Sequence, residues 1–330
     1  MSILMANTVA EPPFEDPEQQ RLVWGRTWGC DNDVGTLRTV MVSPPNDYMR
    51  TDEPRFPGTN SGAKVRDQDE GWYWDHGVCP PRSELPIDAM RAQHDKLVEL
   101  LDSEGIDIVI PDNVQGGRFS CYSRDVAISI PGGAIVTRLA AQQRQGEERW
   151  TTAALAKAGV PIIRTISGTG LMEGGSFAWV NSHTAVIGRS NCVNDEGIRQ
   201  VREVLAPLGI EVLVVDLSMH EIHIDGSFLM LDVDLAIVNV SLIPYSFLEE
   251  LQSRNIRMIG LNSDDDPWLA NGLAIAPGRV LLPKGQMSRS TRGVLNKHGV
   301  EVIPVEYDEM QLNGGGIHCS TCPLVRDSVD

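Results

Sequence analysis

A strand-strand-helix-strand pattern recurs along the chain, and it constrains the fold more than any other feature of the sequence. Four apolar segments each hold two β-rich runs joined by a short turn of Gly, Pro, Asn or Asp residues, which is typical of a tight hairpin. They recur about every 45 to 51 residues, at 126–138, 177–188, 228–240 and 273–283. A regular period of this length predicts a repeat architecture.

The segments after the hairpins repeat as well. Each hairpin is followed by a stretch with helical character, at 148–158, 196–208, 245–254 and 290–298. Each of these is followed by one short apolar strand, at 161–164, 211–215, 256–260 and 301–305. A fifth copy is predicted near the N-terminus, with strand material at 37–42, a helix at 87–103 and a closing strand at 106–110.

Five such units predict one α/β domain closed around an axis. No unit of this size can bury its own apolar face, so neighbouring units must cover one another. We expect a loose tail at 1–27 and a single domain at 28–330. A long insertion at 46–85 in the first unit is predicted to be a covering or functional loop rather than a second domain.

Charge and cysteine content narrow the class of protein. The formal net charge is −17, which disfavours nucleic acid and acidic membranes as partners. No apolar run approaches the roughly 18 residues that a bilayer span needs. The six cysteines are too scattered for a disulfide framework, so reduced thiols in the cytoplasm are expected. The sequence leaves homo-oligomerisation open.

Polar residues fall at the same phase of every unit, just before each hairpin. The equivalent positions 125, 173, 223, 271 and 319 are 48, 50, 48 and 48 residues apart, and they hold Asp125, Glu173, His223, Asn271 and Cys319. In a closed repeat they point toward one central cavity. A thiol, an imidazole and carboxylates in one cavity are typical of an enzyme site.

Each of these residues also has an ordinary structural interpretation. A single Cys is commonly a small buried hydrophobe, and Asn271 precedes Gly272 in a turn-forming pair. The Cys319-x-x-Cys322 spacing is compatible with a redox pair or half a metal site, although no second ligand pair follows. The shared phase of all five positions favours the functional interpretation.

The motifs around these positions resemble those of the guanidine-modifying (pentein) superfamily. The segments are Glu173-Gly-Gly, His223-x-Asp225 and Gly314-Gly-Gly-Ile-His-Cys319-Ser-Thr. The superfamily includes dimethylarginine dimethylaminohydrolase, arginine deiminase and arginine:glycine amidinotransferase. The resemblance implies a five-bladed α/β propeller of ββαβ repeats around a pseudo-fivefold axis, in agreement with the period found above.

The resemblance also implies roles for the site residues. Cys319 matches the nucleophile, His223 the general acid/base, and Glu173 a carboxylate that binds guanidinium and assists proton transfer. Asp125 and Asp225 match substrate-binding carboxylates, and Ser176 and Asn271 are further candidates for substrate binding. Arg138 and the region of Arg144 and Glu147 resemble the scaffold around the site.

The resemblance implies hydrolysis of a guanidine C–N bond through a covalent thiouronium intermediate, with no cofactor and no metal. Where dimethylarginine hydrolases hold the substrate α-carboxylate with an Arg, this chain has Cys192. We therefore expect a small cationic or neutral guanidine without an amino-acid tail, such as methylguanidine or nitroguanidine. The alternatives are an amidinotransferase, an arginine or dimethylarginine hydrolase, a non-catalytic binding module of the same fold, and a redox pair at Cys319 and Cys322.

Overall fold

The fold was analysed in a computed structural model that describes residues 16–50, 84–112, 114, 117–141, 144–218 and 221–329. Fifteen strands in these residues form five separate three-stranded sheets. Most of the predicted insertion at 46–85 lies outside the described residues, as does the start of the predicted tail.

Four of the sheets come from consecutive segments of the chain. In chain order, the first of these sheets consists of β3 (Ala127–Ile130), β4 (Gly133–Val136) and β5 (Ile162–Thr165), and the second of β6 (Phe177–Asn181), β7 (Thr184–Arg189) and β8 (Glu211–Asp216). The third consists of β9 (Phe228–Asp232), β10 (Leu235–Val238) and β11 (Arg257–Gly260), and the fourth of β12 (Leu273–Ala276), β13 (Arg279–Pro283) and β14 (Glu301–Val305). In each sheet the first two strands are antiparallel and the third runs parallel to the second. The hairpin turns predicted from the sequence are therefore confirmed.

A helix crosses over between the second and third strands of each unit, as a parallel connection requires. These helices are Glu147–Ala158, Asp195–Leu205, Tyr245–Ser253 and Arg289–Lys297. Two of them begin at a side-chain cap: Asn194 accepts from Gly197 N at 2.9 Å, and Ser288 accepts from Thr291 N at 3.2 Å. No helix of the described residues is both long enough and apolar enough to cross a bilayer.

The fifth sheet joins the two ends of the chain. β1 (Leu37–Val42) pairs in parallel with β2 (Asp107–Val109), after the helix Ile87–Ser103, and antiparallel with β15 (Thr321–Arg326). The sequence analysis found β1, the helix and β2, but it did not identify β15 as the first strand of this unit. The C-terminal strand closes the ring, and it places Cys319 directly before a first strand, like the other four positions.

The described part of the predicted tail is folded, which corrects the expectation of a loose segment up to residue 27. A helix spans Pro17–Trp24, and Asp16 caps it by accepting from the backbone of Glu18 and Gln19. Gln20 is buried and accepts from Trp28 N at 2.7 Å. A buried hydrogen bond of this kind anchors the helix to the start of the domain.

Apolar contacts hold the units together. Within the sheets the central strands are almost wholly buried, as in β7, where Ala185, Val186 and Ile187 are inaccessible to solvent. One buried cluster joins three consecutive units, since it includes Val186 of β7, Phe228 of β9 and Val280 of β13. The chain is therefore an α/β propeller of five ββαβ units, as predicted.

Candidate active site

Short 3-10 turns precede the first strands of four units, and the predicted site residues lie in or beside them. The turns span Ser123–Val126, Gly174–Ser176, Ile224–Gly226 and Pro267–Ala270, and consecutive turns contact one another around the ring. Cys319 lies in the equivalent position before β15. The shared phase seen in the sequence thus corresponds to one region of the structure, at one end of the propeller axis.

Cys319 is buried, and its sulfur lies between an amide and a carboxylate. Asn271 Nδ2 donates to Cys319 Sγ at 3.2 Å, and Sγ lies 3.6 Å from Asp225 Oδ2. Burial raises the pKa of the Cys319 thiol well above its ordinary value, and the negative charges of Asp225 and Asp125 raise it further. The thiol is therefore protonated at neutral pH and needs a nearby positive charge to ionise.

His223 lies between two carboxylates. Its Nε2 is 2.8 Å from Glu173 Oε2, and its Nδ1 is 3.5 Å from Asp125 Oδ1. Burial alone would lower the pKa of His223, but the charges of Asp125 and Glu173 and a hydrogen bond with Cys192 outweigh it and raise this pKa well above its ordinary value. The imidazole is therefore cationic at neutral pH and able to donate a proton.

Glu173 is ionised beside this imidazolium. Its Oε1 accepts from Ala140 N at 2.8 Å, while Oε2 faces His223. Burial would raise the pKa of Glu173, but the hydrogen bond and charge of His223, with the charge of Arg144, lower it below its ordinary value. Glu173 can therefore orient His223 and also offer a negative charge to a substrate.

Asp125 is held by a buried arginine. Arg144 Nη1 donates to Asp125 Oδ2 at 2.5 Å, and Arg144 Nη2 donates to Glu147 Oε2 at 2.9 Å. Asp125 Oδ1 has no hydrogen-bond partner among the described residues, although it is buried. This oxygen is an acceptor that faces the side of His223. The predicted scaffold role of Arg144 and Glu147 agrees with these contacts.

The Asp225 carboxylate contacts two neighbouring residues, His318 and Cys319. Its Oδ2 accepts from His318 Nδ1 at 2.8 Å and is also the carboxylate oxygen nearest to Cys319 Sγ. Burial would raise the pKa of Asp225, but the hydrogen bond from His318 outweighs it and lowers this pKa. Burial and the charge of Arg124 lower the pKa of His318, so this imidazole is a neutral donor that fixes the Asp225 carboxylate.

The two weaker predicted site residues lie beside the site in different ways. The Ser176 hydroxyl donates to the backbone oxygen of Ile222 at 3.1 Å, so it supports the segment before His223. Asn271 contacts Cys319 through its side chain, as described above. Substrate binding by Ser176 and Asn271 stays a prediction.

Cys192 reaches the site, and the sequence analysis raised it only through an alignment. Its sulfur, the Glu173 carboxylate and the His223 ring offer ligand atoms within 4.8 Å of one another. Such a set of donors is compatible with a divalent metal ion. Cys322 is different, because its thiol donates to the Ala127 carbonyl at 3.6 Å within the core. Cys322 thus lies outside the cluster of predicted site residues.

Comparison with known proteins agrees with this fold and shows the family of the chain. Residues 82–326 match the family model described as N,N dimethylarginine dimethylhydrolase, eukaryotic. The chain belongs to this family. This family lies within the pentein superfamily that the motifs indicated.

Individual relatives are distant. An uncharacterized protein of Bacillus subtilis is 25% identical over 305 residues, which cover 90% of this chain and 95% of the relative. The N(G),N(G)-dimethylarginine dimethylaminohydrolase of Pseudomonas aeruginosa is 26% identical over 231 residues, which cover 69% of this chain and 85% of that enzyme. Among solved structures, an amidinotransferase of saxitoxin biosynthesis from Microseira wollei superimposes with a TM-score of 0.71 at 16% identity, covering 91% of this chain and 98% of that one. The structural likeness shows the fold alone.

Two residues beside the site were missed by sequence reasoning. No role was predicted for His318, although its Nδ1 bonds the Asp225 carboxylate. Glu221 was not singled out, although burial and the nearby charge of Asp225 raise its pKa to about 7. A His directly before the nucleophile was a usable signal for the first. The position of Glu221, four residues before Asp225, carries no such signal.

Proposed function

We propose that this chain is a cysteine hydrolase that cleaves a C–N bond of a small guanidine-containing molecule. One observation carries the proposal: the Cys319 thiol and the His223–Glu173 pair share one buried site with the carboxylates of Asp125 and Asp225. A nucleophile, an acid/base and acceptors for a planar cation are the groups that this reaction needs.

The carboxylates suit a guanidinium group. A guanidinium is planar and presents N–H donors in fixed directions, which carboxylate oxygens bind with strong, oriented hydrogen bonds. Asp125 Oδ1 is buried and has no hydrogen-bond partner among the described residues, so it supplies an acceptor that a substrate N–H would satisfy. Its ion pair with His223 Nδ1 is long, at 3.5 Å, so a substrate N–H would add a closer donor to this oxygen.

The bound cation also activates the nucleophile. Its positive charge near Cys319 opposes the effect of Asp225 and Asp125 and favours the thiolate. The thiol gives its proton to Asp225 Oδ2, its hydrogen-bond acceptor, and the sulfur attacks the guanidinium carbon to form a tetrahedral adduct. His223 then protonates the departing nitrogen as the C–N bond breaks, which leaves a thiouronium cation on Cys319.

Water completes the reaction. His223, now neutral, accepts a proton from a water molecule that attacks the thiouronium carbon. The C–S bond breaks, the electron pair returns to the sulfur, Asp225 gives the proton back to the thiolate, and a urea-type product leaves. Glu173 keeps the imidazole oriented for both proton transfers, since it bonds Nε2 at 2.8 Å.

For the substrate, we propose a guanidine without an α-carboxylate, such as nitroguanidine or methylguanidine. Cys192 lies within 4.8 Å of the Glu173 and His223 ligand atoms, so position 192 faces the site with a thiol rather than a guanidinium. The neighbouring Arg189 is on the surface, where it bonds Asp216 at 2.6 Å and Asp195 at 2.8 Å. Neither residue supports recognition of an amino-acid carboxylate, and an unpaired carboxylate in a closed site is costly.

The test is a panel of guanidines with and without an α-carboxylate, assayed for release of ammonia and amine. We expect turnover of tail-less guanidines in the absence of any acceptor amine, and an acid-stable adduct on Cys319 in quenched samples. Cys319→Ser should abolish turnover. Cys322→Ser is the matched control, because that thiol lies outside the site, and it should retain activity.

The other outcomes separate the alternatives. Turnover only in the presence of an acceptor amine identifies an amidinotransferase. Rapid hydrolysis of free arginine or dimethylarginine refutes the tail-less substrate class while leaving the chemistry intact. Absence of both turnover and adduct across the panel refutes the proposed function.

A further inference from the structure

The side chain of Asn271 contacts the nucleophile through both ends of its amide. Nδ2 donates to Cys319 Sγ and Oδ1 accepts from Cys319 N, each at 3.2 Å. The Asn271 backbone oxygen also accepts from His318 N at 3.2 Å. Asn271 is almost inaccessible to solvent, so these contacts are made without competition from bulk water.

The electrostatic surroundings of Cys319 make this contact significant. The charged and titratable groups near the sulfur are Asp225, Asp125 and the Tyr307 phenol, and His318 bonds Asp225. Both carboxylates disfavour a thiolate, whereas Asn271 and the backbone at Gly316 favour it by hydrogen bonding. Asn271 thus supplies a neutral donor at a repeat position where two other units have the acids Asp125 and Glu173.

We propose that Asn271 is a positioning residue for the nucleophile, which orients the Cys319 sulfur and stabilises its thiolate through the side-chain N–H. This assigns Asn271 to the sulfur rather than to the substrate. The inference rests on the proposed function, because it concerns the step in which Cys319 becomes a nucleophile.

Gly316 supports the proposal independently. A Cβ atom at Gly316 would lie 2.5 Å from Asn271 Oδ1 and 3.0 Å from its Cγ, closer than side chains approach one another. The glycine therefore leaves room for the Asn271 amide to reach Cys319. A Gly316→Ala substitution displaces this amide without changing its chemistry.

The experiment measures the reactivity of the Cys319 thiol directly. Iodoacetamide alkylation of the intact protein is followed from pH 6 to pH 10 by mass spectrometry of the Cys319 peptide, with Cys319→Ser as the background. Four variants are compared with the wild type: Asn271→Asp, Asn271→Ser, Gly316→Ala and, as a control, Asn313→Asp. Asn313 is a buried amide that bonds Arg118 at 2.8 and 2.9 Å instead of Cys319.

We expect alkylation of Asn271→Asp to slow at least about tenfold at pH 8, because it loses a donor and adds a charge beside the sulfur. Asn271→Ser and Gly316→Ala lose only the Asn271 N–H donor to the sulfur, so alkylation of Cys319 in these variants should slow about threefold. Turnover in the Asn271 variants should fall in kcat with little change in KM, since the residue contacts the sulfur and not the substrate. Asn313→Asp should keep the wild-type alkylation profile.

Unchanged alkylation in folded Asn271 variants would overturn the proposal, and so would an equal slowing in Asn313→Asp. If Asn271→Asp does not fold, the smaller Asn271→Ser change decides the outcome. A rise in KM with an unchanged kcat would indicate that Asn271 contacts the substrate instead. Slowed alkylation in a protein that turns over no guanidine would retain the role of Asn271 and refute only the proposed function.

Discussion

Removing the Arg144 guanidinium should be among the most destabilising single changes at the site. Arg144 is buried, and its guanidinium bonds Asp125, Glu147 and the carbonyl oxygens of Phe119 and Tyr122. In Arg144→Met the side chain keeps much of its bulk but loses every donor. Two buried carboxylates then lose this cation, although Asp125 still faces the His223 ring at 3.5 Å.

The expected loss follows from that geometry. Removing one partner of a buried ion pair costs about 3–5 kcal/mol, because the remaining charge is neither solvated nor paired. Urea-induced unfolding of Arg144→Met at pH 7 should therefore show a loss within this range. Turnover should also fall, since Arg144 holds Asp125 beside His223.

Two further variants make this prediction specific. Arg144→Met combined with Glu147→Gln leaves one buried charge instead of two, so it should recover at least about 1 kcal/mol of the loss. Arg189→Met is the control, because its ion pairs with Asp195 and Asp216 lie on the surface, and it should unfold like the wild type. A loss below about 1 kcal/mol in Arg144→Met, or no recovery in the double variant, would refute the reasoning.

Three other changes test the electrostatics and packing of the site. Burial raises the pKa of Glu221 to about 7, so its ionisation opposes folding and the stability of the protein falls as pH rises from about 4.5 to 7. In thermal melts Glu221→Gln should therefore be more stable than the wild type at pH 8, by up to about 3 kcal/mol, and equally stable below pH 4.5. Glu173→Gln removes one of the charges that raise the pKa of His223, so the alkaline limb of the pH profile of kcat should move to lower pH. We also expect kcat to fall about 10²–10⁴-fold. An alkaline limb that does not move would contradict the role of the His223–Glu173 pair. A Cβ at Gly175 would lie 2.6 Å from His223 Nδ1, so Gly175→Ala should lose most turnover while circular dichroism stays native; full activity would contradict the described geometry.

The repeat and its chemistry were largely readable from the sequence. Strand and helix periodicity are local properties, so the hairpins and crossover helices were predicted close to their observed bounds. The spacing of Asp125, Glu173, His223, Asn271 and Cys319 reflects one turn at the same place in every unit. Residues at one phase of a closed repeat must meet, and for this reason the composition of the site was predictable.

Other features depend on contacts between residues that are distant in the chain. β15 pairs with β1 across more than 280 residues, with Leu37 opposite Arg326, and no local pattern identifies that partner. Side-chain direction is equally non-local: only packing turns the Asn271 amide toward Cys319 and brings Cys192 beside His223. The sequence by itself therefore determined the repeating unit and the residues at its turns, because these follow from local propensity. The tertiary structure decided how the ring closes and which atoms face the Cys319 sulfur, because both depend on long-range packing.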